Sequence, residues 1–229
     1  MCGITGAYVL KQSAASRLQA AGSSLEQLRR RGPDAEGHFA DDTVALGHRR
    51  LSVIDTSEGA GQPMTDHTGR YYIVFNGEIF NYRWLSDRYL GNAWKKHGQP
   101  RTHSDTEVLL YLLIEYGTQC LSWLHGFFAF AFYDRETGTL LLARDRYGKK
   151  PLLYYTAEDY VAFASEMKAL LAWGIPRKLD YTVLHQYLQL NYIPQPQSML
   201  QGVARLKQGH YMKITPDGIT ENQPYYQLE

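Results

Sequence analysis

The chain has few cysteines and no arrangement of them that would support a scaffold. Only two of its 229 residues are cysteine, Cys2 and Cys120, and neither belongs to a Cys-x-x-Cys pair. Two cysteines cannot form the disulfide framework of a small secreted protein, and a structural zinc site needs more ligands at short spacing. The sequence therefore favours a reducing, cytoplasmic setting and predicts no metal site.

Long apolar runs and an excess of charge of one sign are also missing. No apolar run approaches the roughly 18–20 residues that cross a bilayer, and the N-terminus has no basic stretch followed by an apolar segment, so we expect no secretory signal. With 24 basic and 23 acidic residues the formal net charge is +1, which favours neither nucleic acid nor an acidic membrane as a partner. We therefore expect a soluble globular protein of one domain or slightly more.

The hydrophobic pattern predicts many short strands with helices at the periphery. The predicted strands cover residues 3–10, 36–40, 43–48, 71–75, 126–134, 139–144, 152–156 and 160–164. The predicted helices cover residues 13–30, 82–97, 104–116, 166–173 and 180–190. Strands at hairpin spacing together with peripheral helices indicate an α+β layered fold.

Two of these segments carry stronger signals. In residues 126–134 phenylalanines alternate with alanines. This pattern predicts a strand that is buried on both faces, with large side chains on one face and small side chains on the other. Ser104 and Glu107 have the S-x-x-E spacing of a capping box before a long apolar run. We therefore expect a buried central strand and a helix that begins at residue 104.

The C-terminal part differs from the rest of the chain in its sequence pattern. After a helical segment it contains Pro194 and Pro196 and ends in a hairpin-like turn at residues 216–218. We interpret residues 2–175 as the main domain and residues 176–229 as an extension or linker.

Cys2 directly follows the initiator Met1. Removal of Met1 would leave a thiol nucleophile and a free α-amino group on one residue, and the ordinary pKa of such an amine, about 7.7–8.0, lets a fraction of it accept a proton at neutral pH. The alternative is that Cys2 is a small hydrophobic residue at the edge of an N-terminal strand.

Three further segments contain groups that recognise a small polar ligand. Arg49 and Arg50 end a predicted strand, where a guanidinium can bind a carboxylate or simply be solvated. Asn76 and Gly77 can supply oxyanion donors or form an ordinary Asn-Gly turn. Asp105 can pair with a ligand ammonium or be favoured only by the helix dipole.

Together, these groups could bind and attack the amide of an α-amino acid. Spacing alone does not show that these groups meet in space. It also assigns no role to the charged segment from Ala143 to Leu152, for which a turn between strands is a sufficient explanation.

The order of the motifs adds a family resemblance. The segments that carry it are MCGITG, RRGPD, GHRRLSVID, QPM, NGEIFNY, HSDTE, GFFAFAFYD, ARDRYGKKPLLYY and FASEMKAL. In this order they resemble the class II glutamine amidotransferase domain, in the branch of the glutamine-hydrolysing asparagine synthetases. The resemblance covers residues 2–173 nearly continuously. The segments YIPQPQSML, RLKQGHYMKI and PYYQLE are similar to the connector that leads into a synthetase domain.

The resemblance implies a four-layer αββα sandwich of the N-terminal nucleophile (Ntn) hydrolase type. It implies that Met1 is removed, that the Cys2 thiolate attacks the side-chain amide of L-glutamine, and that the Cys2 amine acts as base. The Asn76 side chain and the Gly77 N–H would stabilise the oxyanion, and water would resolve the thioester to glutamate after ammonia leaves. This half-reaction needs no metal and no cofactor.

The resemblance also implies the substrate contacts. Arg50 matches the arginine that binds the glutamine carboxylate, and Asp105 matches the residue that holds its ammonium. Val53, Ile54 and Glu78 would frame the pocket.

The partners follow from the same resemblance. We expect the ammonia to pass to a synthetase domain or subunit, as in asparagine biosynthesis, and a homodimer is compatible with this family. The sequence lacks the SGG-x-DS pyrophosphate loop of the synthetase half, so ATP, aspartate and magnesium are not assigned to this polypeptide. The alternatives are the glutaminase half of another class II amidotransferase, such as the phosphoribosylpyrophosphate or fructose-6-phosphate type, and a non-catalytic binding or regulatory module.

Overall fold

The structure is a computed structural model that describes residues 1–51 and 61–227. In these ranges two six-stranded antiparallel sheets form, with strand orders β10-β8-β9-β1-β3-β2 in the first sheet and β12-β11-β7-β6-β5-β4 in the second. Their strands are β1 (Gly3–Val9), β2 (Ala35–Ala40), β3 (Val44–Arg50), β4 (Met64–Thr65), β5 (Tyr71–Ile79), β6 (Gly126–Asp134), β7 (Thr139–Arg144), β8 (Leu153–Thr156), β9 (Tyr160–Ala164), β10 (Val203–Arg205), β11 (His210–Thr215) and β12 (Gly218–Pro224).

Helices cover the outer faces of both sheets. The α-helices are α1 (Ala21–Gln27), α2 (Tyr82–Tyr89), α3 (Gly91–His97), α4 (Asp105–Tyr116), α5 (Met167–Leu171) and α6 (Tyr181–Leu190), and 3-10 helices span Gln12–Ala20 and Gly117–Trp123. Side chains of α1 and α5 join one apolar cluster with β1 and β9, whereas α2, α3 and α4 pack on β5 and β6. A third cluster fills the space between the two sheets. The layers therefore run helix, sheet, sheet, helix, which is the predicted α+β sandwich.

Strand β6 shows how the sequence separates two of these cores. Its phenylalanines Phe128, Phe130 and Phe132 face the helices, while Ala129 and Ala131 face the other sheet. Successive side chains of a strand point to opposite faces, so the large residues fill the space under rounded helices and the small ones let the two sheets approach. The prediction of a strand buried on both faces is confirmed.

The predicted helices 13–30 and 82–97 are each divided in the structure. The first becomes a 3-10 helix followed by α1, and the second breaks into α2 and α3 at Leu90 and Gly91. Glycine has a low helix propensity, and Gly22 and Gly91 stand at or near the two breaks. In the first segment Arg17 also donates to the carbonyl oxygens of Trp173 and Gly174, so tertiary contacts override the helical periodicity.

The C-terminal segment is part of both sheets. β10 pairs with β8 in the first sheet, and β11 pairs with β7 in the second and carries β12 beyond it. Met212 and Ile214 of β11 are completely buried between the sheets. The predicted domain boundary after residue 175 stays a prediction, but strands on both sides of it share the same hydrogen-bonded sheets.

No helix in the described ranges combines the length and the apolar character needed to cross a membrane.

Candidate active site

A cavity of about 190 Å³ opens at the edge where the two sheets meet the N-terminus of α4. Among the described residues it is lined by Met1, Cys2, His48, Arg50, Leu51, Gln62, Phe75, Asn76, Gly77, Glu78, Ser104, Asp105, Thr106 and Lys150. The predicted site residues Cys2, Arg50, Asn76, Gly77, Glu78 and Asp105 therefore all line one cavity. Val53 and Ile54 lie outside the described residues. The roles of all these residues stay predictions.

Cys2 is held just before β1 by the backbone and by the partly buried Arg31. Its Sγ accepts from the N–H of Leu51 at 3.4 Å and lies 3.6 Å from the Leu51 carbonyl oxygen. Arg31 Nε donates to the Cys2 carbonyl oxygen at 2.8 Å, and Arg31 Nη1 lies 3.2 Å from Oε1 of Glu166. These contacts fix the first residues of the chain and direct the thiol into the cavity.

The two arginines at the end of β3 point to opposite sides, as strand alternation requires. Arg49 turns toward α1, where it donates to the Leu25 carbonyl oxygen and pairs with Glu26 at 2.9 Å. Arg50 lies on the other side, in the cavity. The sequence pattern left open which arginine faces a ligand, and the pleat of β3 selects Arg50.

Asn76 and Gly77 lie inside β5, because this strand continues to Ile79 instead of turning after Phe75. Asn76 is only 1% exposed, and within the described part of the chain its Nδ2 has no hydrogen-bond partner. A buried amide donor without a partner costs free energy unless a ligand satisfies it. Its position in the cavity wall makes it a donor for such a ligand.

Gly77 continues the row of donors along the edge of β5. The N–H of Phe75 is bound by the Gln62 side chain, and the N–H of Ile79 is bound by the Asp105 carboxylate. Because N–H groups two residues apart on a strand point to the same edge, the Gly77 N–H points to that edge as well. A Cβ at this position would lie 2.4 Å from the Phe127 carbonyl oxygen, so the close approach of β6 requires glycine.

Asp105 opens helix α4 and lies in the cavity wall. Ser104 caps the helix by accepting from the Glu107 N–H at 3.2 Å, and Asp105 Oδ2 accepts from the Ile79 N–H at 2.9 Å. Burial, with a smaller contribution from nearby Glu78, raises the pKa of Asp105 to about 6 against the lowering effect of the backbone hydrogen bonds. A buried carboxylate of this kind gains from a cationic partner.

Half of the predicted capping box forms. The Glu107 carboxylate turns away from the Ser104 N–H and accepts from the N–H groups of Arg101 and Thr102 instead. It thereby ties the loop before α4 to the helix, and this loop borders the cavity through Ser104.

Several cavity residues were not predicted from the sequence as site residues. They are His48, Gln62, Ser104, Thr106 and Lys150. His48 and Gln62 stand in motifs that carried the family resemblance, GHRRLSVID and QPM, but no periodicity or spacing distinguishes them from ordinary polar residues. Burial lowers the pKa of His48 to about 3, so its imidazole is neutral at physiological pH.

The charged segment after β7 has a structural role. Asp145 is completely buried and accepts from the N–H groups of Phe128, Tyr147, Lys149 and Lys150. Its neighbour Arg144 donates to four acceptors: the carbonyl oxygens of Lys150, Leu206 and Gly148 and the side-chain oxygen of Gln195. The segment is therefore a hydrogen-bonded turn that places Lys150 at the cavity.

The arrangement suits an α-amino acid whose side chain carries an acyl group. A guanidinium and a carboxylate can bind the two charged groups of the amino acid, and a thiol lines the same cavity as the amide donors of β5. Within the described residues no cluster of three or more His, Cys, Asp or Glu side chains is arranged to hold a metal ion.

Comparisons with known proteins agree with this chemistry. The profile of a family described as "Glutamine amidotransferase domain" matches residues 1–226. The chain is 36% identical over 229 residues to a Bacillus subtilis protein named asparagine synthetase [glutamine-hydrolyzing] 1, covering 99% of this chain and 35% of that protein. It is 34% identical to amidase chyE of Penicillium rubens, covering 100% of this chain and 34% of that protein.

A solved structure shows the fold. The glutamine phosphoribosylpyrophosphate amidotransferase from B. subtilis, complexed with ADP and GMP, superposes with a TM-score of 0.70 at 20% identity, covering 99% of this chain and 50% of that one. The fold is therefore the Ntn-hydrolase sandwich that the resemblance implied. This chain spans about a third of the length of the curated relatives described above, 35% and 34%.

Proposed function

Because the chain belongs to the glutamine amidotransferase domain family, we propose that it hydrolyses L-glutamine to glutamate and ammonia with Cys2 as the nucleophile. The observation that carries the proposal is the meeting of Cys2, Arg50, Asn76 and Asp105 in one cavity, although they come from four separate parts of the chain.

Substrate binding uses two charged side chains of the cavity wall. Arg50 binds the α-carboxylate of L-glutamine, and the buried carboxylate of Asp105 binds its ammonium. The ionised form of Asp105 is disfavoured by burial, so a cationic ligand supplies a charge partner that stabilises this carboxylate. Two charged contacts at fixed spacing direct the side-chain amide of glutamine toward Cys2.

The first chemical step forms a thioester. Removal of Met1 frees the α-amino group of Cys2, which takes the thiol proton as Sγ attacks the amide carbon. The oxyanion of the tetrahedral intermediate accepts from Nδ2 of Asn76 and from the Gly77 N–H. The carbon–nitrogen bond then breaks, the Cys2 amine returns the proton to the leaving nitrogen, and ammonia departs.

The second step restores the thiol. Water attacks the γ-glutamyl thioester, and the Cys2 amine accepts a proton from it. The carbon–sulfur bond breaks, glutamate leaves, and the sulfur regains its proton. The same two donors stabilise the second oxyanion, so one cavity serves both steps.

The ammonia acceptor is proposed from the relatives. Proteins named glutamine-hydrolysing asparagine synthetases match this chain at 36% and 35% identity. We therefore infer that the ammonia passes to an asparagine-synthetase-like domain or partner. The cytoplasmic location and the homodimer expected from the sequence stay predictions, and sedimentation of the purified protein checks the second.

The test is glutamate and ammonia release from L-glutamine, with the intact mass read on the same sample. We expect equal amounts of both products from protein that lacks Met1 and none from Cys2→Ala. Protein that keeps Met1 should be inactive until methionine aminopeptidase removes the residue. Cys120→Ala is the matched control, since Cys120 is fully buried away from the cavity, and it should keep the activity. Absence of release from Met1-free protein, or equal release from Cys2→Ala, would overturn the proposal.

A further inference from the structure

Three separate elements carry the side chains that are proposed to contact L-glutamine. Arg50 ends β3 in the first sheet, Asn76 lies on β5 in the second sheet, and Asp105 begins α4. Their spacing must match one small substrate, so it depends on what links these three elements beside the cavity.

The first link joins the two sheets. His48 lies two residues before Arg50 on β3 and is therefore on the same face of that strand. It is 1% exposed, and its Nε2 lies 3.2 Å from the carbonyl oxygen of Phe75. Since the carbonyl can only accept, Nε2 carries the proton and donates. Phe75 immediately precedes Asn76, so this bond ties the strand of Arg50 to the strand of Asn76.

The second link joins the second sheet to α4. Gln62 Oε1 accepts from the Phe75 N–H at 2.6 Å, and Gln62 Nε2 donates to Oγ1 of Thr106 at 3.4 Å. Thr106 immediately follows Asp105. The backbone of Phe75 thus bonds to both side chains, with its C=O accepting from His48 and its N–H donating to Gln62.

The edge of β5 explains why side chains occupy these positions. β4 is only two residues long and pairs with β5 at Tyr72 and Ile73. Phe75 lies beyond those pairs, and its N–H and C=O are satisfied by the Gln62 and His48 side chains. A longer β4 would form hydrogen bonds with the backbone groups of β5 but would close the cavity. Side chains make these hydrogen bonds and leave the Gly77 N–H facing the cavity.

We propose that His48, Gln62 and Thr106 are positioning residues that set the spacing between Arg50, Asn76 and Asp105. This inference rests on the proposed glutaminase function. His48 lies two residues from Arg50, and Thr106 lies next to Asp105. Gln62 bonds to Phe75, which is the neighbour of Asn76. They form one hydrogen-bonded chain, His48–Phe75–Gln62–Thr106, which crosses all three elements.

The two links should affect different kinetic constants. The His48 bond controls the Phe75 peptide next to the oxyanion donors, so its loss should lower kcat. The Thr106 bond controls the first turn of α4 next to the ammonium contact, so its loss should raise KM. A displacement of about 1 Å at a catalytic group can cost about a hundredfold in rate, while a single neutral hydrogen bond corresponds to about two- to tenfold.

The experiment compares matched pairs of variants of the full chain. His48→Leu removes the donor, whereas His48→Gln places an amide N–H near the position of Nε2. Thr106→Val removes the hydroxyl, whereas Thr106→Ser keeps it. Tyr8→Phe is the control, because the Tyr8 hydroxyl also links the two sheets, by donating to the Gly138 carbonyl oxygen at 2.6 Å, but does so outside the cavity lining.

We expect His48→Leu to lower kcat about tenfold or more and His48→Gln to recover most of the loss. Thr106→Val should raise KM about two- to fivefold, and Thr106→Ser should resemble the unmodified protein. Tyr8→Phe should lower the melting temperature without changing either constant. In the Cys2→Ala background, calorimetry should show the same weakening of L-glutamine binding by Thr106→Val.

Several outcomes would overturn the inference. If the variants melt earlier but keep both kinetic constants, His48 and Thr106 only stabilise the fold. Equal loss in His48→Leu and His48→Gln would show that the hydrogen bond to Phe75 is not what matters. If His48→Leu does not fold, the Thr106 pair and the binding measurement decide. Failure of the proposed function itself is distinguishable, because the unmodified chain would then release no glutamate.

Discussion

The two cysteines of this chain lie in opposite environments. Cys2 borders the cavity beside a backbone N–H. Cys120 is completely buried in the core under α4, and burial raises the pKa of its thiol to about 12. Because the thiolate is the reactive form, a buried thiol with a raised pKa is inert to alkylation. The fold itself therefore leaves one sulfur at the cavity and protects the other.

Iodoacetamide should modify Cys2 and leave Cys120 unmodified in the folded protein. The expected result is a single added carbamidomethyl group by intact mass, located on the N-terminal peptide, together with loss of glutaminase activity. Saturating L-glutamine should slow the modification, since the substrate covers the thiol. A label on Cys120 in native protein would contradict the burial argument, and Cys2→Ala protein, which should remain unlabelled until it is denatured, is the control.

The buried carboxyl group of Asp105, the proposed contact for the substrate ammonium, carries a cost to the stability of the fold. Its folded-state pKa of about 6 lies above the ordinary value of 3.8, so the folded protein holds the proton more tightly than the unfolded chain does. The free energy of unfolding therefore falls as the pH rises from about 4 through about 6, and the loss is complete at neutral pH. The shift of about two units corresponds to a cost on the order of 2–3 kcal/mol.

Asp105→Asn should make the protein more stable and a poorer enzyme. The amide oxygen can still accept from the Ile79 N–H, but no buried charge remains. We expect the free energy of unfolding at pH 7 to rise by about 1–3 kcal/mol, and the gain over the unmodified protein to disappear below about pH 4. KM for L-glutamine should rise about ten- to a hundredfold, because a charged hydrogen bond is lost.

Urea denaturation at pH 4 and pH 7 together with steady-state kinetics checks both parts. Asp217→Asn on an exposed turn is the control, and it should change neither quantity. In the unmodified protein kcat/KM should fall as the pH drops below about 6, since protonated Asp105 no longer pairs with the ammonium. A pH-independent stability gain, or an unchanged KM, would show that Asp105 is not ionised at the substrate.

For individual residues, the sequence indicated the chemical role more readily than the position in space. Cys2, Asn76 and Asp105 stood out because their residue types at those positions suit a nucleophile, an oxyanion donor and a cation partner. The choice between Arg49 and Arg50 required the pleat of β3, and in the sequence alone it came from the family resemblance. His48 and Gln62 could not be found by pattern, since their partners are the backbone groups of Phe75, which lies distant in the sequence from both.

At the level of elements, the turn between β7 and β8 depends on a single carboxylate. Asp145 accepts four backbone N–H groups, three of them in the following residues and one, from Phe128, on β6. In the sequence this segment could be only a charged turn between strands, because burial of a charge cannot be seen in composition. The hydrogen bonds compensate for that burial.

Asp145→Ala should destabilise the protein more than an ordinary surface substitution. Four backbone N–H groups, of which that of Phe128 is buried, would lose a charged acceptor, and a hydrogen bond to a charged group is worth about 1.5–3 kcal/mol. We expect a loss of about 3 kcal/mol or more in urea denaturation, with Asp145→Asn losing less because it keeps one acceptor oxygen. Asp217→Ala, at an exposed hairpin, is the control. A loss below about 1 kcal/mol for Asp145→Ala would contradict the assigned role.

The elements with strong periodicity were predicted well, and the weak ones were not. β6, α4 and α6 formed close to their predicted limits because apolar alternation or caps determine them locally. β5 extends four residues beyond its predicted end at Phe75, since pairing with β6 continues to Ile79 and overrides the Asn-Gly turn signal. Pairing between distant segments is not visible in a local window.

At the scale of the whole molecule, the C-terminal segment completes both sheets. Leu206, Met212 and Ile214 are at most 1% exposed and belong to the cluster between the sheets. Leu206 also donates its N–H to the Leu152 carbonyl oxygen at 2.9 Å. The prolines and the hairpin turn of this segment suggested an extension. Its pairing with β7 and β8 could not be predicted, because the sequence of an edge strand does not show which strand it pairs with.

A fragment limited to residues 2–175 should therefore fail to fold on its own. Removing three fully buried apolar side chains takes away on the order of 5–9 kcal/mol of burial, and it leaves the apolar strand β7 as an open edge. The whole stability of a domain is only about 5–15 kcal/mol. We expect the fragment to lack a cooperative melting transition by circular dichroism and to show no glutaminase activity, whereas the 229-residue chain melts cooperatively.

Met212→Asp in the full chain should reproduce much of the defect, since it places a charge in the same core, while Thr220→Asp on the exposed side of β12 should not. A fragment that melts cooperatively and hydrolyses glutamine would instead establish residues 2–175 as an independent domain and residues 176–229 as a true extension.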